Sequence, residues 1–227
     1  MAKLKIIAII PARGGSKSIP LKNIKKINNK PLITYTIDSA KKSKIFDFII
    51  VSSDHNKIKK ISSKFKDILV FDRSKKISRD ITPTEEVVTD VLKKIKDIKN
   101  YVPDWIFILE PTSPLRSINT ILKAKKVISK IKNLNSLISI KKIDNTPAKL
   151  KKQRLNFIFN RVYQRQKRTQ LYCESSTLYC VKSSYFLKNK KIVEKKPFCF
   201  VIPKIEGIDI NDMEDFKIAE IILKNNV

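Results

Sequence analysis

The stretch PARGGSKSIPLKN, residues 11–23, follows a short apolar run, residues 4–10, that has the length of a buried strand. Two of the three glycines in the whole chain, Gly14 and Gly15, lie side by side in it. Because glycine has no Cβ, the pair predicts either backbone with φ > 0 or close approach of the backbone to a ligand. The sequence thus predicts a strand that ends in a tight, functionally specialised turn.

The same loop also concentrates groups that bind anions, namely Arg13, Ser16, Lys17 and Lys22. Backbone amides turned inward among cations and a hydroxyl are suited to holding a polyphosphate. The spacing fits neither the G-x-x-x-x-G-K-[ST] loop nor the G-x-G-x-x-G fingerprint. From these residues alone, an ordinary strand-to-helix turn with solvated lysines remains the alternative.

Beyond this loop, apolar runs of strand length alternate with amphipathic patterns of helical period. The alternation predicts an α/β fold in which a mostly parallel sheet carries helices on both faces. At 227 residues the chain is expected to form one domain, residues 1–227. Residues 141–175 begin as a polar, lysine-rich stretch without clear periodicity, which predicts a small protruding insertion that serves as a lid or a dimer arm.

The net charge of +28 would ordinarily suggest a nucleic-acid partner. Arginine, however, supplies only eight of the 49 basic residues, and the lysines are spread along the whole chain. This distribution favours a solvated basic surface over a nucleic-acid site. Five arginines fall in polar, loop-like stretches, where their planar forks predict anion recognition. They are Arg13, Arg73, Arg116, Arg165 and Arg168.

Three cysteines without a C-x-x-C pair indicate reduced thiols, and therefore a cytoplasmic location. With a single histidine, any divalent cation must depend on carboxylates, amides and phosphates, which favours Mg²⁺ over Zn²⁺. No apolar run approaches the roughly 20 residues of a membrane helix. We therefore expect no membrane partner.

The residues A-R-G-G-S-K-x-I-P-x-K-N, with the strand before them, resemble the nucleotide-binding signature of the N-acylneuraminate cytidylyltransferases, or CMP-sialic acid synthetases. The resemblance extends over residues 6–219. It implies a Rossmann-like nucleotidyltransferase fold and a homodimer. It also implies an enzyme that joins CTP to a nine-carbon keto sugar acid, a nonulosonic acid, and releases diphosphate.

The resemblance further implies roles for individual residues around the nucleotide. Arg13 and Lys22 would stabilise charge while the α-phosphate is attacked. Thr84 stands where a serine is usual in the family. The nucleotide-binding residues implied are Ala12, Gly14, Gly15, Ser16 and Lys17 toward the triphosphate, and Asn23, Arg73 and Thr84 toward ribose and cytosine.

Two later stretches resemble the family's sugar-binding segments. EPTSPLR, residues 110–116, corresponds to Q-P-T-S-P-L-R, so Glu110 stands where the family has a glutamine that faces the sugar. RQKRTQLYCESSTLY, residues 165–179, corresponds to R-Q-x-R-x-Q-x-Y-x-E-x-x-x-x-Y. The sugar-binding residues implied are Glu110, Arg165, Gln166, Arg168, Glu174 and Tyr179. The general base is left open between Glu110 and a metal-bound water.

Near the end of the chain, IDINDMEDF places Asp209 and Asn211 two residues apart on an extended segment, so that both point to one face. The family has D-I-D-T here, and its two aspartates hold Mg²⁺ on the triphosphate. The resemblance therefore implies a metal site on Asp209 and Asn211, with an amide in place of the second carboxylate. For Asp212 and Asp215 we predict helix capping.

Three alternatives stay open at this point. A cytidylyltransferase for an eight-carbon keto sugar acid would share the first loop but have Q-G-D-E-P in place of EPTSP. A transferase for hexose 1-phosphates would carry G-G-x-G-T-R-L. A basic protein that binds nucleic acid or another anion without catalysis is the alternative from a different class.

Overall fold

A seven-stranded sheet forms the centre of the protein in the computed structural model, which describes residues 3–143, 148–151, 154–157 and 169–225. The strands are β1 Ile6–Pro11, β2 Lys26–Ile27, β3 Lys30–Pro31, β4 Phe48–Ser53, β5 Ile68–Asp72, β6 Trp105–Ile108, β7 Ser136–Ile143, β8 Ala148–Lys151, β9 Arg154–Phe157, β10 Leu171–Lys182 and β11 Phe198–Val201. The helices are α1 Leu32–Ser43, α2 Asn56–Ser62, α3 Thr84–Lys99, α4 Ile118–Lys130, α5 Ser183–Asn189 and α6 Met213–Asn225.

The strand order in the central sheet is β11-β7-β10-β6-β1-β4-β5. Every neighbouring pair is parallel except the two that involve β10, which runs antiparallel to β6 and to β7. The mostly parallel sheet predicted from the sequence is confirmed. Its carboxyl edge gathers the ends of β1, β4, β5 and β6, and this is the edge at which open α/β sheets bind ligands.

Strand β1 is buried on both faces, and its side chains alternate between two cores. Ile6, Ala8 and Ile10 pack with residues of α1, α2 and α4, whereas Ile7 and Ile9 pack with α3 and α5. A period of two along the strand sends consecutive side chains to opposite faces of the sheet. The helices on both faces are therefore confirmed as well.

A third, smaller core joins the two ends of the chain. Ile19 of the glycine-containing loop and Ile27 of β2 pack against Ile210 and against Phe216 of α6. Burial of these side chains removes apolar surface from water at each end of the chain. The packing places the segment that carries Asp209 beside the loop that follows β1.

Helix α3 begins at Thr84. Pro83 is the N-cap, with φ −62° and ψ 145°, and no side chain caps the helix. Thr82 lies one residue too far from the helix to cap it, and its hydroxyl is buried without a partner among the described residues.

The predicted insertion, residues 141–175, overlaps the central sheet at both of its ends. Residues 141–143 belong to β7 and residues 171–175 to β10, and the two strands pair antiparallel there, with Leu171 opposite Ile143. Strands β8 and β9 form a separate two-stranded sheet between them. The dimer arm stays a prediction.

Candidate functional site

Two adjoining cavities lie at the carboxyl edge of the sheet and share Thr84, Glu110 and Thr112 in their walls. The first, of about 190 Å³, is lined by the loop after β1 and by Arg73, and we call it the loop cavity. The second, of about 400 Å³, is lined in part by Glu174, Ser176 and Tyr179 of β10, and we call it the β10 cavity. Together they have the form of a two-compartment ligand site.

Gly14 allows the loop to approach the segment that follows β4. Its amide donates to Oδ1 of Asp54 at 2.8 Å, and a Cβ at this position would lie 2.7 Å from Cβ of His55. The expectation of φ > 0 is wrong, since neither glycine has a positive φ; in this loop it is Leu21, at 51°, that does. Gly14 is therefore required for a close approach within the protein.

Gly15 differs from Gly14 because an added Cβ would meet no described atom within 4 Å. We expect Gly14→Ala to lower the free energy of unfolding by about 1–3 kcal/mol, the usual cost of overpacking. We expect Gly15→Ala to change it by less than about 0.5 kcal/mol. Thermal melts of the two variants check this, and equal midpoints would mean that the His55 side chain moves aside.

Arg13 and Lys17 both pair with Asp80, which sequence reasoning missed. The Arg13 guanidinium bonds Oδ1 of Asp80, and Lys17 Nζ lies 2.7 Å from Oδ2. Lys17 and Arg13 hold the pKa of the Asp80 carboxyl below its usual range. Arg13 and Asp80 are each about one-third exposed, so an incoming anion competes with Asp80 for the two cations. A sequence offers no signal for this pairing, because the partners meet only through folding.

Lys22 connects the first loop with the C-terminal segment. Its Nζ donates to the carbonyl of Ile210 at 2.7 Å, and partial burial lowers its pKa while Asp209 acts in the opposite direction. Asn23 is buried and donates its side-chain amide to the carbonyl of Arg13 at 2.9 Å, which holds the loop in shape. Both residues line the loop cavity, together with Arg13 and Ser16.

Arg73 lies directly after β5 and is buried, with 5% of its surface exposed. Its Nε donates to Oγ of Ser52 at 3.1 Å and its Nη2 to the Ser52 carbonyl at 2.8 Å. Burial lowers its pKa. These two bonds fix the guanidinium in the wall of the loop cavity, where Thr84 also lies. The structure thus brings together the two residues assigned by resemblance to the cytosine.

Glu110 follows β6 and borders both cavities. Burial, together with the nearby Asp209 carboxylate, raises the pKa of its carboxyl to about 7, although Arg116, Arg73 and Lys22 act in the opposite direction. No hydrogen bond or ion pair reaches this carboxylate from the residues that the structure describes. Glu110 is therefore an unpaired acid at the junction of the two compartments.

Arg116 holds the EPTSPLR loop in place. It is buried, and its donors reach the Thr177 carbonyl at 2.5 Å, Oγ1 of Thr36 at 3.2 Å and the Glu110 carbonyl at 2.7 Å. Its guanidinium is engaged by α1, β10 and its own loop, and Arg116 lines neither of the two cavities. The expectation that Arg116 recognises an anion is therefore corrected to a structural role.

Two of the residues assigned to the sugar meet in the β10 cavity. Tyr179 donates its hydroxyl to Oε1 of Glu174 at 2.8 Å, across an irregularity in the pairing of β10 with β7. Burial and the Glu174 carboxylate raise the pKa of Tyr179. Arg165, Gln166 and Arg168 lie outside the described residues.

Asp209 and Asn211 occupy different environments. Asp209 lines the β10 cavity, and its Oδ1 is buried without a hydrogen-bond partner in the described part of the chain. Asn211 is exposed. Its side-chain amide donates to the main-chain carbonyl of Asp209 at 3.3 Å, and its main-chain carbonyl accepts from the Ser18 hydroxyl. The amide of Ile210 donates to the Thr112 carbonyl at 2.8 Å, which fixes the segment against the EPTSPLR loop.

The predicted capping by Asp212 and Asp215 is confirmed. Oδ1 of Asp212 accepts from the amides of Glu214 at 2.9 Å and Asp215 at 3.0 Å, as an N-cap side chain does. The carboxylate of Asp215 reaches back to the amide of Asn211 at 2.9 Å. Asp212 and Asp215 line neither of the two cavities.

The described residues contain no group of three or more His, Cys, Asp or Glu side chains placed to hold a metal ion. A cation here would therefore take most of its ligands from a bound molecule or from water. No described helix combines the length and the apolar character needed to cross a membrane.

Comparison with known proteins identifies related sequences along nearly the whole chain. The sequence profile of a family described as Cytidylyltransferase matches residues 7–204. A pseudaminic acid cytidylyltransferase of Campylobacter jejuni subsp. jejuni serotype O:23/36 (strain 81-176) is 30% identical over 228 residues, covering 98% of each chain. A CMP-N,N'-diacetyllegionaminic acid synthase of Legionella pneumophila subsp. pneumophila is 29% identical over 233 residues, again covering 98% of each chain.

Among solved structures, CMP:2-keto-3-deoxy-manno-octonic acid synthetase, solved in complex with CTP, superimposes with a TM-score of 0.73. The alignment covers 98% of the present chain and 100% of that chain at 12% sequence identity. At this identity the likeness concerns the fold alone, and it confirms the nucleotidyltransferase-type α/β fold.

Proposed function

Because the chain belongs to the cytidylyltransferase family, we propose that it transfers the CMP part of CTP to a nonulosonic acid and releases diphosphate. One observation carries the proposal. Arg13, Lys22, Arg73 and Thr84 come from three separate parts of the sequence and line one cavity, which shares Glu110 with a second cavity. Two joined compartments suit a reaction between a nucleotide and a sugar acid.

In this proposal the loop cavity holds the triphosphate. The residues toward the phosphates are Ala12, Gly14, Gly15, Ser16 and Lys17. Arg13 and Lys17 leave Asp80 when the nucleotide binds, because a triphosphate carries more negative charge than one carboxylate. Lys22, at the border with the Asp209 segment, stabilises charge on the α-phosphate as the bond to diphosphate breaks.

The base and ribose lie deeper in the same cavity, against Asn23, Arg73 and Thr84. The Arg73 guanidinium is already fixed by Ser52, so it is oriented before the nucleotide arrives. A donor that is held in place loses little conformational freedom on binding. Preorganisation of this kind supports recognition of the cytosine.

A divalent cation, Mg²⁺, belongs to the proposal. The buried Oδ1 of Asp209, which has no partner among the described residues, fits such an ion, because a hard cation seeks carboxylate oxygen. When bound, Mg²⁺ neutralises charge on the phosphates. Asp209 would hold it. Asn211, the second ligand predicted from the sequence, is exposed and lines neither cavity.

The sugar acid is assigned to the β10 cavity. Glu174 and Tyr179 line it, and Arg165, Gln166 and Arg168 complete the predicted set. The anomeric hydroxyl of the sugar attacks the α-phosphorus, so the new oxygen–phosphorus bond forms as the bond to diphosphate breaks. The hydroxyl proton passes to the general base, for which Glu110 and a water are the two candidates. Glu110, at the junction of the cavities, lies where the two substrates meet.

A homodimer and a cytoplasmic location complete the proposal. The family resemblance supports the dimer, with residues 141–175 as its arm. Cys173, Cys180 and Cys199 are free thiols, as expected in a reducing compartment.

An assay of diphosphate release tests the proposed function. We expect release with CTP together with pseudaminic, legionaminic or N-acetylneuraminic acid, and little or none when ATP, GTP or UTP replaces CTP. Each nucleotide without sugar is the control. Release with an eight-carbon keto sugar acid alone would favour the related cytidylyltransferase. No release at all, with salt-dependent retention of nucleic acid, would favour the non-catalytic alternative.

A further inference from the structure

Glu110 and Asp209 are two acids that border the same compartment without a partner. Both line the β10 cavity. Neither carboxylate forms an ion pair or accepts a hydrogen bond within the described parts of the chain, and Oδ1 of Asp209 is buried. The Asp209 charge also acts on the Glu110 carboxyl, which places the two within electrostatic reach of each other. Two like charges in a partly buried site repel each other, which favours either protonation of one carboxyl or a cation between the two.

None of the described basic side chains nearby lies between the Glu110 and Asp209 carboxylates as an ion-pair partner. Lys22 donates to the Ile210 carbonyl, and Arg73 is bound to Ser52. Arg116 is bound to Thr177, to Thr36 and to the main-chain carbonyl of Glu110, but not to either carboxylate. All three act on Glu110 at a distance, but none forms an ion pair with it. The pair is therefore a donor set of free carboxylate oxygens, which is the chemistry that Mg²⁺ prefers.

Asn211 is less suited to the position of second ligand. It is exposed and lines neither of the two cavities described. Its side-chain amide donates to the main-chain carbonyl of Asp209 in its own segment. Its main chain is fixed at the carbonyl by Ser18 and at the amide by Asp215. An amide also adds no negative charge to a cation site.

We propose that Glu110, rather than Asn211, is the second protein ligand, beside Asp209, of the divalent cation that accompanies the nucleotide. This inference rests on the proposed function, since the nucleotide brings the remaining ligands. One or two carboxylates supplemented by substrate phosphates and water are a usual arrangement for Mg²⁺. That arrangement agrees with the finding that the described residues offer no cluster of three or more metal-binding side chains.

The proposal connects two departures from the family pattern that otherwise have no common cause. Position 211 has an amide where the family has a carboxylate, and position 110 has a carboxylate where the family has an amide. Glu110 lies on a different segment from Asp209 but lines the same cavity. The sugar acid then meets a carboxylate that is neutralised by a cation. Repulsion between Glu110 and the carboxylate of the sugar is thereby removed.

Binding of Mn²⁺, measured by electron paramagnetic resonance of the free ion, tests the assignment without requiring turnover. We expect Glu110→Gln and Asp209→Asn each to weaken Mn²⁺ binding by about tenfold or more, because affinity follows the charge of the ligands. We expect Asn211→Ala to change it by less than about twofold. Glu174→Gln is the matched control, because it removes a carboxylate from the same cavity that is already engaged by Tyr179; it should also change binding by less than about twofold.

Several outcomes would overturn the assignment. They are a large loss in Asn211→Ala with none in Glu110→Gln, equal losses in Glu110→Gln and Glu174→Gln, or no Mn²⁺ binding by the unmodified protein. Calorimetry of CTP binding in excess EDTA shows whether Glu110→Gln leaves the nucleotide site intact, and we expect unchanged affinity there. Absence of diphosphate release with every sugar acid, together with the expected Mn²⁺ pattern, would refute the proposed function and leave the cation site standing.

Discussion

Lys22→Ala lowers kcat by about 10²- to 10³-fold, the loss expected when one positioned donor is removed from a developing negative charge. The Lys22 ammonium lies in the wall of the loop cavity, and its bond to the Ile210 carbonyl places it beside the Asp209 segment. Alanine supplies neither the charge nor the reach. Steady-state diphosphate release with CTP and the preferred sugar acid measures the effect.

The fold survives this change, since only one hydrogen bond is lost. Such a bond contributes about 1 kcal/mol, so the thermal midpoint falls by only a few degrees. Lys26→Ala is the matched control, because Lys26 is a nearby exposed lysine on β2 and keeps near-normal kcat. A Lys22→Ala enzyme with near-normal kcat would remove Lys22 from the proposed mechanism.

Arg116→Ala has the largest expected effect on stability. The substitution removes the donor of the buried Thr177 carbonyl and the shortest contacts of the Glu110 carbonyl and the Thr36 hydroxyl. The Glu110 carbonyl keeps only the longer contacts from the Thr36 hydroxyl at 3.4 Å and the Ser113 amide at 3.3 Å. Unsatisfied buried groups cost about 1–3 kcal/mol each, and partial relaxation brings the expected total to roughly 3 kcal/mol. For a domain of this size that corresponds to a fall in the melting temperature of about 6–12 °C.

Two further variants separate the geometry of Arg116 from its charge. Arg116→Lys keeps the charge but cannot reach three acceptors with one ammonium, so we expect most of the loss to remain. Arg79→Ala removes an exposed arginine whose Nε contacts only the nearby Lys76 carbonyl, and should shift the free energy of unfolding by less than about 0.5 kcal/mol. Equal midpoints for Arg116→Ala and Arg79→Ala would contradict the structural role.

The early part of the fold could be predicted because its signals are local. The apolar run before Pro11, the paired glycines and the alternation of strand and helix predicted a parallel sheet with helices on both faces. Ser117 caps α4 and Asp212 caps α6, as residue types of this kind do wherever the chain enters a helix. Periodicity and capping depend on neighbours within a few residues, so the sequence displays them directly.

The strands in the middle of the chain were harder to predict from the sequence. Strand β10 extends over Leu171–Lys182, so that its first residues lie within the stretch 141–175 that the sequence predicts as an insertion. Its first half alternates between half-buried and exposed side chains, because it pairs with the end of β7 beyond the main core. A strand stabilised mainly by backbone pairing carries a weak hydrophobic signal.

By itself, then, the sequence determined the α/β class, the glycine-containing loop after β1, the family resemblance and several of the residues that line the two cavities. Only the tertiary structure decided which of those side chains are free. It engages Arg116 inside the protein, pairs Arg13 and Lys17 with Asp80, and leaves Glu110 and Asp209 unpaired in one cavity. The physical reason is that hydrogen bonds and charge interactions depend on distance in space. Residues far apart in the chain come within bonding distance of each other only when the sheet and its helices pack.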